Sequence, residues 1–199
     1  MEICGMRKEF SDAIRRHQRL VSLFEEDAYS VIREIIDRTI GCFERGNTLY
    51  LMGNGGSAAD CQHIAGELVG RYQHVRDPLP AIALTSDSSV LTCIGNDYGY
   101  QEVFSRATAA LAGPDDLIWA FSTSGASENV LNAVRVAKER GTGVIAFTGS
   151  THSPLEKLAD VTLCSRTDDT ARAQEIHQLA YHIICETIDR HFSGDTDRK

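Results

Sequence analysis

Five short apolar runs, each followed by a loop of small residues and then a helical stretch, constrain this chain more than any other feature. They lie at 48–52, 81–85, 117–121, 144–148 and 161–164. Each is continuously apolar, as expected of strands buried on both faces. The stretches after them, near 57–71, 88–94 with 101–111, 128–140, 154–158 and 170–192, carry the three-four spacing of amphipathic helices. Strands that alternate with helices form a parallel sheet covered on both sides. The spacing therefore predicts a doubly wound, flavodoxin-like α/β fold of five parallel strands, with ligands at the carboxyl ends of the strands.

Before the first strand, residues 10–45 read as two helices, with Ile14, Leu20, Leu23, Phe24, Val31, Ile32, Ile35, Ile36, Ile40 and Phe43 on their apolar faces. The 199 residues are read as one domain, with N-terminal helices over about 8–45, an α/β core over about 46–192 and a frayed tail over 193–199. The formal net charge of −8 provides no broad positive field, so nucleic acid is not expected as a partner. The apolar runs are far shorter than the roughly 20 residues of a membrane span. The first residues lack the apolar core of a signal peptide, which makes the cytoplasm the expected location. Six scattered cysteines, Cys4, Cys42, Cys61, Cys93, Cys164 and Cys185, read as reduced, mostly core thiols.

Two strand-to-helix loops can face an anion with backbone N–H groups and a helix N-terminus. Gly53-Asn54-Gly55-Gly56-Ser57-Ala58 matches the dinucleotide fingerprint formally, yet Asp87, the one acidic residue at the end of strand two, comes too late for it. A tight turn that needs glycine is the plain alternative. Ser122-Thr123-Ser124-Gly125-Ala126-Ser127 places four hydroxyls in six residues between a strand and a helix. One serine suffices for an N-cap; four make a phosphate-monoester cradle without a cationic side chain.

His63 and Glu67 lie four apart on the helix after the glycine loop, hence on one face, where they can share a divalent metal or a substrate. Gln174 and His182 lie eight apart on the last helix, about 12 Å along its axis, so a small ion shared by both is geometrically demanding. A second subunit could supply some of the ligands. His177 and Tyr181, also four apart, read as structural, and His17, His74, His152 and His191 carry no assignment.

Gly53-Asn54-Gly55-Gly56-Ser57-Ala58-Ala59-Asp60, His63-x-x-x-Glu67-Leu68, Ser122-Thr123-Ser124-Gly125 and Gln174-Glu175-x-His177 together resemble the phosphoheptose isomerases, sugar-isomerase (SIS) domain proteins. Gly70-Arg71-Tyr72, 80–84, 95–100 and Phe104-Ser105-Arg106 extend the likeness over about residues 10–190. The resemblance implies conversion of sedoheptulose 7-phosphate to D-glycero-D-manno-heptose 7-phosphate, an early step toward the nucleotide-activated heptoses of bacterial surface polysaccharide. It also implies one zinc ion per subunit and a homotetramer with sites between subunits. By position the metal ligands fall on His63, Glu67, Gln174 and His182. Substrate contacts fall on Asn54, Gly55, Gly56, Asn96, Asp97, Ser122, Thr123, Ser124 and Ser127, with Glu67 and Gln174 also touching the sugar.

Aldose–ketose isomerisation moves a proton between C1 and C2 through an enediol; Glu67 is the expected base and His182 the expected acid. Zinc would polarise a sugar oxygen or fix geometry. Ala126 stands where many relatives carry Asn, and Ala171 where some carry Asp, which bears on sugar specificity. The competing reading is a non-catalytic SIS-domain adaptor of the kind that associates with replication initiators. Such adaptors lose the acid and base positions, and both Glu67 and His182 are present here.

Overall fold

The computed structural model describes residues 3–194. Helices α1 (Ile3–Asp27) and α2 (Tyr29–Glu44) precede the alternating part of the chain. There follow β1 (Leu49–Gly53), α3 (Gly56–Val69), β2 (Ala81–Ala83), α4 (Ser88–Asp97), a 3-10 turn (Tyr100–Glu102) and α5 (Val103–Leu111). The second half comprises β3 (Leu117–Ser122), α6 (Glu128–Glu139), β4 (Gly143–Thr148), α7 (Pro154–Leu158), β5 (Val161–Cys164) and α8 (Thr170–Ser193).

The five strands form one sheet in the order β2-β1-β3-β4-β5, and every pair is parallel. This is the doubly wound arrangement expected from the sequence. Side chains alternate across the pleat, so each strand feeds two cores. Leu49, Leu51, Trp119, Phe121, Ile145 and Phe147 pack with α2, α3 and α8 on one face. Tyr50, Met52, Ile118, Ala120, Val144 and Ala146 pack with α5 and α6 on the other. The strand order reverses between β1 and β3, which makes the carboxyl ends of these two strands the switch point where such sheets bind ligands. Gly53 and Phe121 are register partners there, followed by the glycine and serine loops.

Several boundaries differ from the expected ones, among them the following three. Helix α1 begins at Ile3, seven residues before position 10, where the helical reading of the sequence starts. Strand β2 stops at Ala83 rather than at 85, because the Ala83 carbonyl accepts the Ser86 N–H and turns the chain. Helix α3 ends at Val69 rather than at 71. Its last carbonyls are capped by a side chain: the Arg76 guanidinium donates to the carbonyls of Glu67 and Leu68, both at 2.8 Å. Arg76 also pairs with Asp189 of α8 at 2.9 Å, and both side chains are only 1% exposed. The end of α3 that carries Glu67 is thereby tied to α8. Of the expected tail, Ser193 closes α8 and Gly194 caps it in the left-handed region at φ 69°; residues 195–199 lie outside the described residues.

Cys42, Cys61 and Cys185 are buried free thiols, Cys164 is half-buried and Cys93 is exposed. The side chain of Cys4 lies outside the described residues. Among the described residues no helix is long and apolar enough to cross a membrane.

Candidate functional site

The two loops at the switch point are locked to each other. Asn54 of the glycine loop and Asn129 of α6 exchange two side-chain amide hydrogen bonds, each 2.9 Å. The Tyr100 hydroxyl donates to the same Asn54 oxygen at 2.8 Å. Gly53 has no room for a side chain, since a Cβ would meet Ser57 and Phe121 at 2.9 and 3.1 Å. Gly55 sits at φ +58°, a left-handed conformation glycine adopts without strain.

In the serine loop the Ser122 hydroxyl lies 3.0 Å from that of Ser127 and 3.4 Å from that of Ser124. Ser127 occupies the N-cap of α6 but makes no side-chain capping bond. Its hydroxyl joins the other two instead, so simple capping does not account for the loop. Thr123 is half-buried and Ser124 exposed, and the loop leads directly into the N-terminus of α6.

Helices α3 and α8 lie side by side and bring three expected residues together. His63 Nε2 is 3.0 Å from Glu67 Oε1, and the imidazole rings of His63 and His182 are 5.1 Å apart. His182 stacks on Tyr72 at 5.8 Å. Burial, and then the neighbouring His63, lower the pKa of His182 against a smaller opposing pull from Glu67, so its neutral form is favoured. Gln174 is placed elsewhere, at the start of α3: a Cβ on Gly56 would lie 2.5 Å from the Gln174 amide. In one chain Gln174 therefore touches the glycine loop, while His182 faces His63 two helical turns further on. Asn96 and Asp97 are exposed at the end of α4 and bonded to each other at 2.7 Å, in the segment that leads to Tyr100.

Two imidazoles and a carboxylate are zinc-type donors. Among the described residues, however, no three His, Cys, Asp or Glu side chains converge into a finished metal cage. What favours a cation is the orientation of His63. Its Nδ1 is 3.0 Å from the Tyr181 hydroxyl, which leaves Nε2 aimed at Glu67, the outer support typical of a metal-bound histidine.

His177 is fully buried, with Nε2 3.0 Å from the Thr148 carbonyl, so its reading as structural agrees with its place in the fold. Tyr181 does more than fill the core: its ring packs among the imidazoles and its hydroxyl reaches His63. Sequence reasoning missed this role and did not single out Asn129, while Asp60, Tyr72 and Tyr100 fall in the quoted motifs without a role. For Asp60 a signal existed, since it lies three residues before His63 on the same helix face. For Asn129 none did, because its partner is 75 residues away. A cleft lined by Leu20, Phe24, Asp27, Cys164 and Arg166 lies apart from this site.

Residues 12–149 match the family model described as SIS domain. A phosphoheptose isomerase of Roseiflexus sp. is 47% identical over 160 residues, 80% of this chain and 81% of its own. One from Geotalea daltonii is 40% identical over 96% of this chain and 99% of its own length. The solved structure of a phosphoheptose isomerase from Francisella tularensis superposes with a TM-score of 0.90 at 32% identity, covering 93% of this chain and 98% of that one.

Proposed function

From the fact that the chain belongs to the SIS domain family, and within it to the phosphoheptose isomerases, we infer the reaction and the role of each residue. It is an isomerase that converts sedoheptulose 7-phosphate to D-glycero-D-manno-heptose 7-phosphate. The observation that carries the reading is the meeting of His63, Glu67 and His182 where α8 packs on α3, the helix that begins at the glycine loop.

The phosphate sits in the serine loop, held by the hydroxyls of Ser122, Thr123, Ser124 and Ser127 and by the amides at the start of α6. Local dipoles suffice for one phosphate, so the net charge of −8 is no obstacle. Asn54, Gly55 and Gly56 with Gln174, and Asn96 with Asp97, line the sugar chain. Glu67 removes the C1 proton of the ketose, and the electron pair becomes the C1–C2 double bond of the enediol. His182, kept neutral by burial, donates its N–H to the C2 oxygen as that oxygen gains charge, a role a neutral imidazole fills in another aldose–ketose isomerase. Return of the proton to C2 and loss of the C1 hydroxyl proton give the aldose.

His63, Glu67, His182 and Gln174 are the residues that would hold a zinc ion, which when bound polarises a sugar oxygen. The separation of Gln174 from His182 along α8 supports completion of each site by a neighbouring chain, and the homotetramer is what the family resemblance implies. The setting we propose is the cytoplasm and the synthesis of nucleotide-activated heptose for surface polysaccharide. The non-catalytic adaptor is not favoured, since acid and base are both in place. Turnover of sedoheptulose 7-phosphate in deuterium oxide tests the mechanism: deuterium at C2 of the aldose is expected, and a product without solvent deuterium would argue for direct hydride transfer instead.

A further inference from the structure

Behind His63 stands a second layer that the reaction itself does not use. Tyr181 is fully buried, and its hydroxyl lies 3.0 Å from His63 Nδ1 and 3.4 Å from Asp60 Oδ1. The other Asp60 oxygen, Oδ2, is buried and has no hydrogen-bond partner among the described residues. A phenol has one proton to give, and a carboxylate only accepts. If that proton goes to Asp60, the phenol oxygen accepts from His63 Nδ1–H, and Nε2 keeps its lone pair. Nε2 and Glu67 Oε1, 3.0 Å apart, are then two acceptors facing each other, an arrangement that a cation between them satisfies. In the reverse order Tyr181 donates to Nδ1, and Nε2–H closes on Glu67 as a self-contained hydrogen bond. Asp60 would then hold a half-buried carboxylate with no donor at either oxygen, an expensive state.

We propose that Asp60 and Tyr181 are positioning residues that fix the tautomer and ring direction of His63, leaving Nε2 unprotonated toward Glu67 and ready for a divalent cation. The proposal rests on reading His63 and Glu67 as cation ligands. It gives the half-buried Asp60 a purpose and makes the Asp60–Tyr181–His63 series an outer shell that carries orientation from α8 to α3.

The test uses the full chain, stripped of metal and labelled with nitrogen-15, whose imidazole shifts distinguish the two tautomers. Wild type is expected to show His63 as the Nδ1–H form, with Tyr181→Phe and Asp60→Asn both shifting it toward Nε2–H. Zinc affinity, measured by competition with a chromophoric chelator, should fall about 10- to 100-fold in each variant. Thermal unfolding shows that each is folded; Tyr181→Phe removes a single oxygen and Asp60→Asn is isosteric. An Nε2–H His63 in the metal-free wild type, or zinc affinity within twofold of wild type in both variants, would overturn the proposal. Neither readout involves a sugar, so failure here leaves the isomerase reading standing, and that reading fails only by absence of turnover. A wild type that takes up no zinc would remove the cation reading on which this proposal rests.

Discussion

The side-chain amides of Asn54 and Asn129 clasp each other through two 2.9 Å hydrogen bonds, and this clasp joins the glycine loop of β1 to the first turn of α6. Asn129 is buried. The glycine loop and the start of α6 are thus tied together, although their residues come from distant parts of the chain.

Breaking the clasp should loosen substrate binding more than chemistry. Asn129→Ala leaves the Asn54 amide nitrogen without its partner while Tyr100 still donates to the oxygen, a cost of about 1–3 kcal/mol. The expected result in steady-state kinetics is a KM for the sugar phosphate raised by roughly tenfold, with kcat changed less. An unchanged KM would mean that the loops hold their positions independently.

The serine loop has its own steric lock. Gly125 sits at φ +62°, and a Cβ there would lie 2.2 Å from the Ser153 Cβ. Gly125→Ala must both strain the backbone and displace Ser153, the N-cap of α7. A stability loss above about 2 kcal/mol is expected by chemical denaturation, together with loss of affinity for inorganic phosphate as a competitive inhibitor.

Arg76 and Asp189 should carry much of the stability of the α3–α8 junction. Removing one partner of a buried, hydrogen-bonded pair costs about 3–5 kcal/mol, so Asp189→Ala should lower the denaturation midpoint by a corresponding amount. Burial alone would raise the pKa of Asp189, but the N–H groups of His74 and Gln73 and the Arg76 guanidinium hold it below the usual range. Its contribution is therefore present above the unfolded pKa of about 4 and is lost as pH falls through the lower folded value. The wild type should show this acid loss, and Asp189→Ala should show less of it.

His177 predicts a separate pH dependence. Burial lowers its pKa from 6.5 to about 4, against the opposing bond to the Thr148 carbonyl. Between these values the unfolded chain binds the proton and the folded chain does not, so stability falls as pH drops from about 6.5 toward 4. From pH 7.5 to 5 the loss attributable to this residue should be about 2 kcal/mol. His177→Gln should flatten that part of the profile, even if less stable at neutral pH; an unaltered slope would contradict the assignment.

The fold was legible because β1, β3 and β4 are buried on both faces, and burial of that kind writes itself as unbroken apolar runs such as 117–121. What escaped notice depended on tertiary contacts. The start of α1 carries Gly5 and the charged run Arg7-Lys8-Glu9, which weaken the helical signal there. The end of α3 is set by Arg76, seven residues beyond its last residue. In the site, His63 and Glu67 were readable because helical spacing places them on one face, and the hydroxyls of the serine loop because composition gathers them. Tyr181 reads as structural in the sequence, as the partner of His177 four residues away. Only the packing of α8 on α3 shows that its hydroxyl meets His63.

The most direct test is turnover of sedoheptulose 7-phosphate by purified wild type and Glu67→Gln, followed by the appearance of the aldose phosphate, with shorter ketose phosphates as controls. The account predicts efficient conversion of the seven-carbon substrate by wild type and a loss of at least about 10²-fold in kcat for Glu67→Gln, with the variant still folded. Full activity in Glu67→Gln would contradict Glu67 as the base, and a wild type that converts none of the ketose phosphates would contradict the isomerase itself.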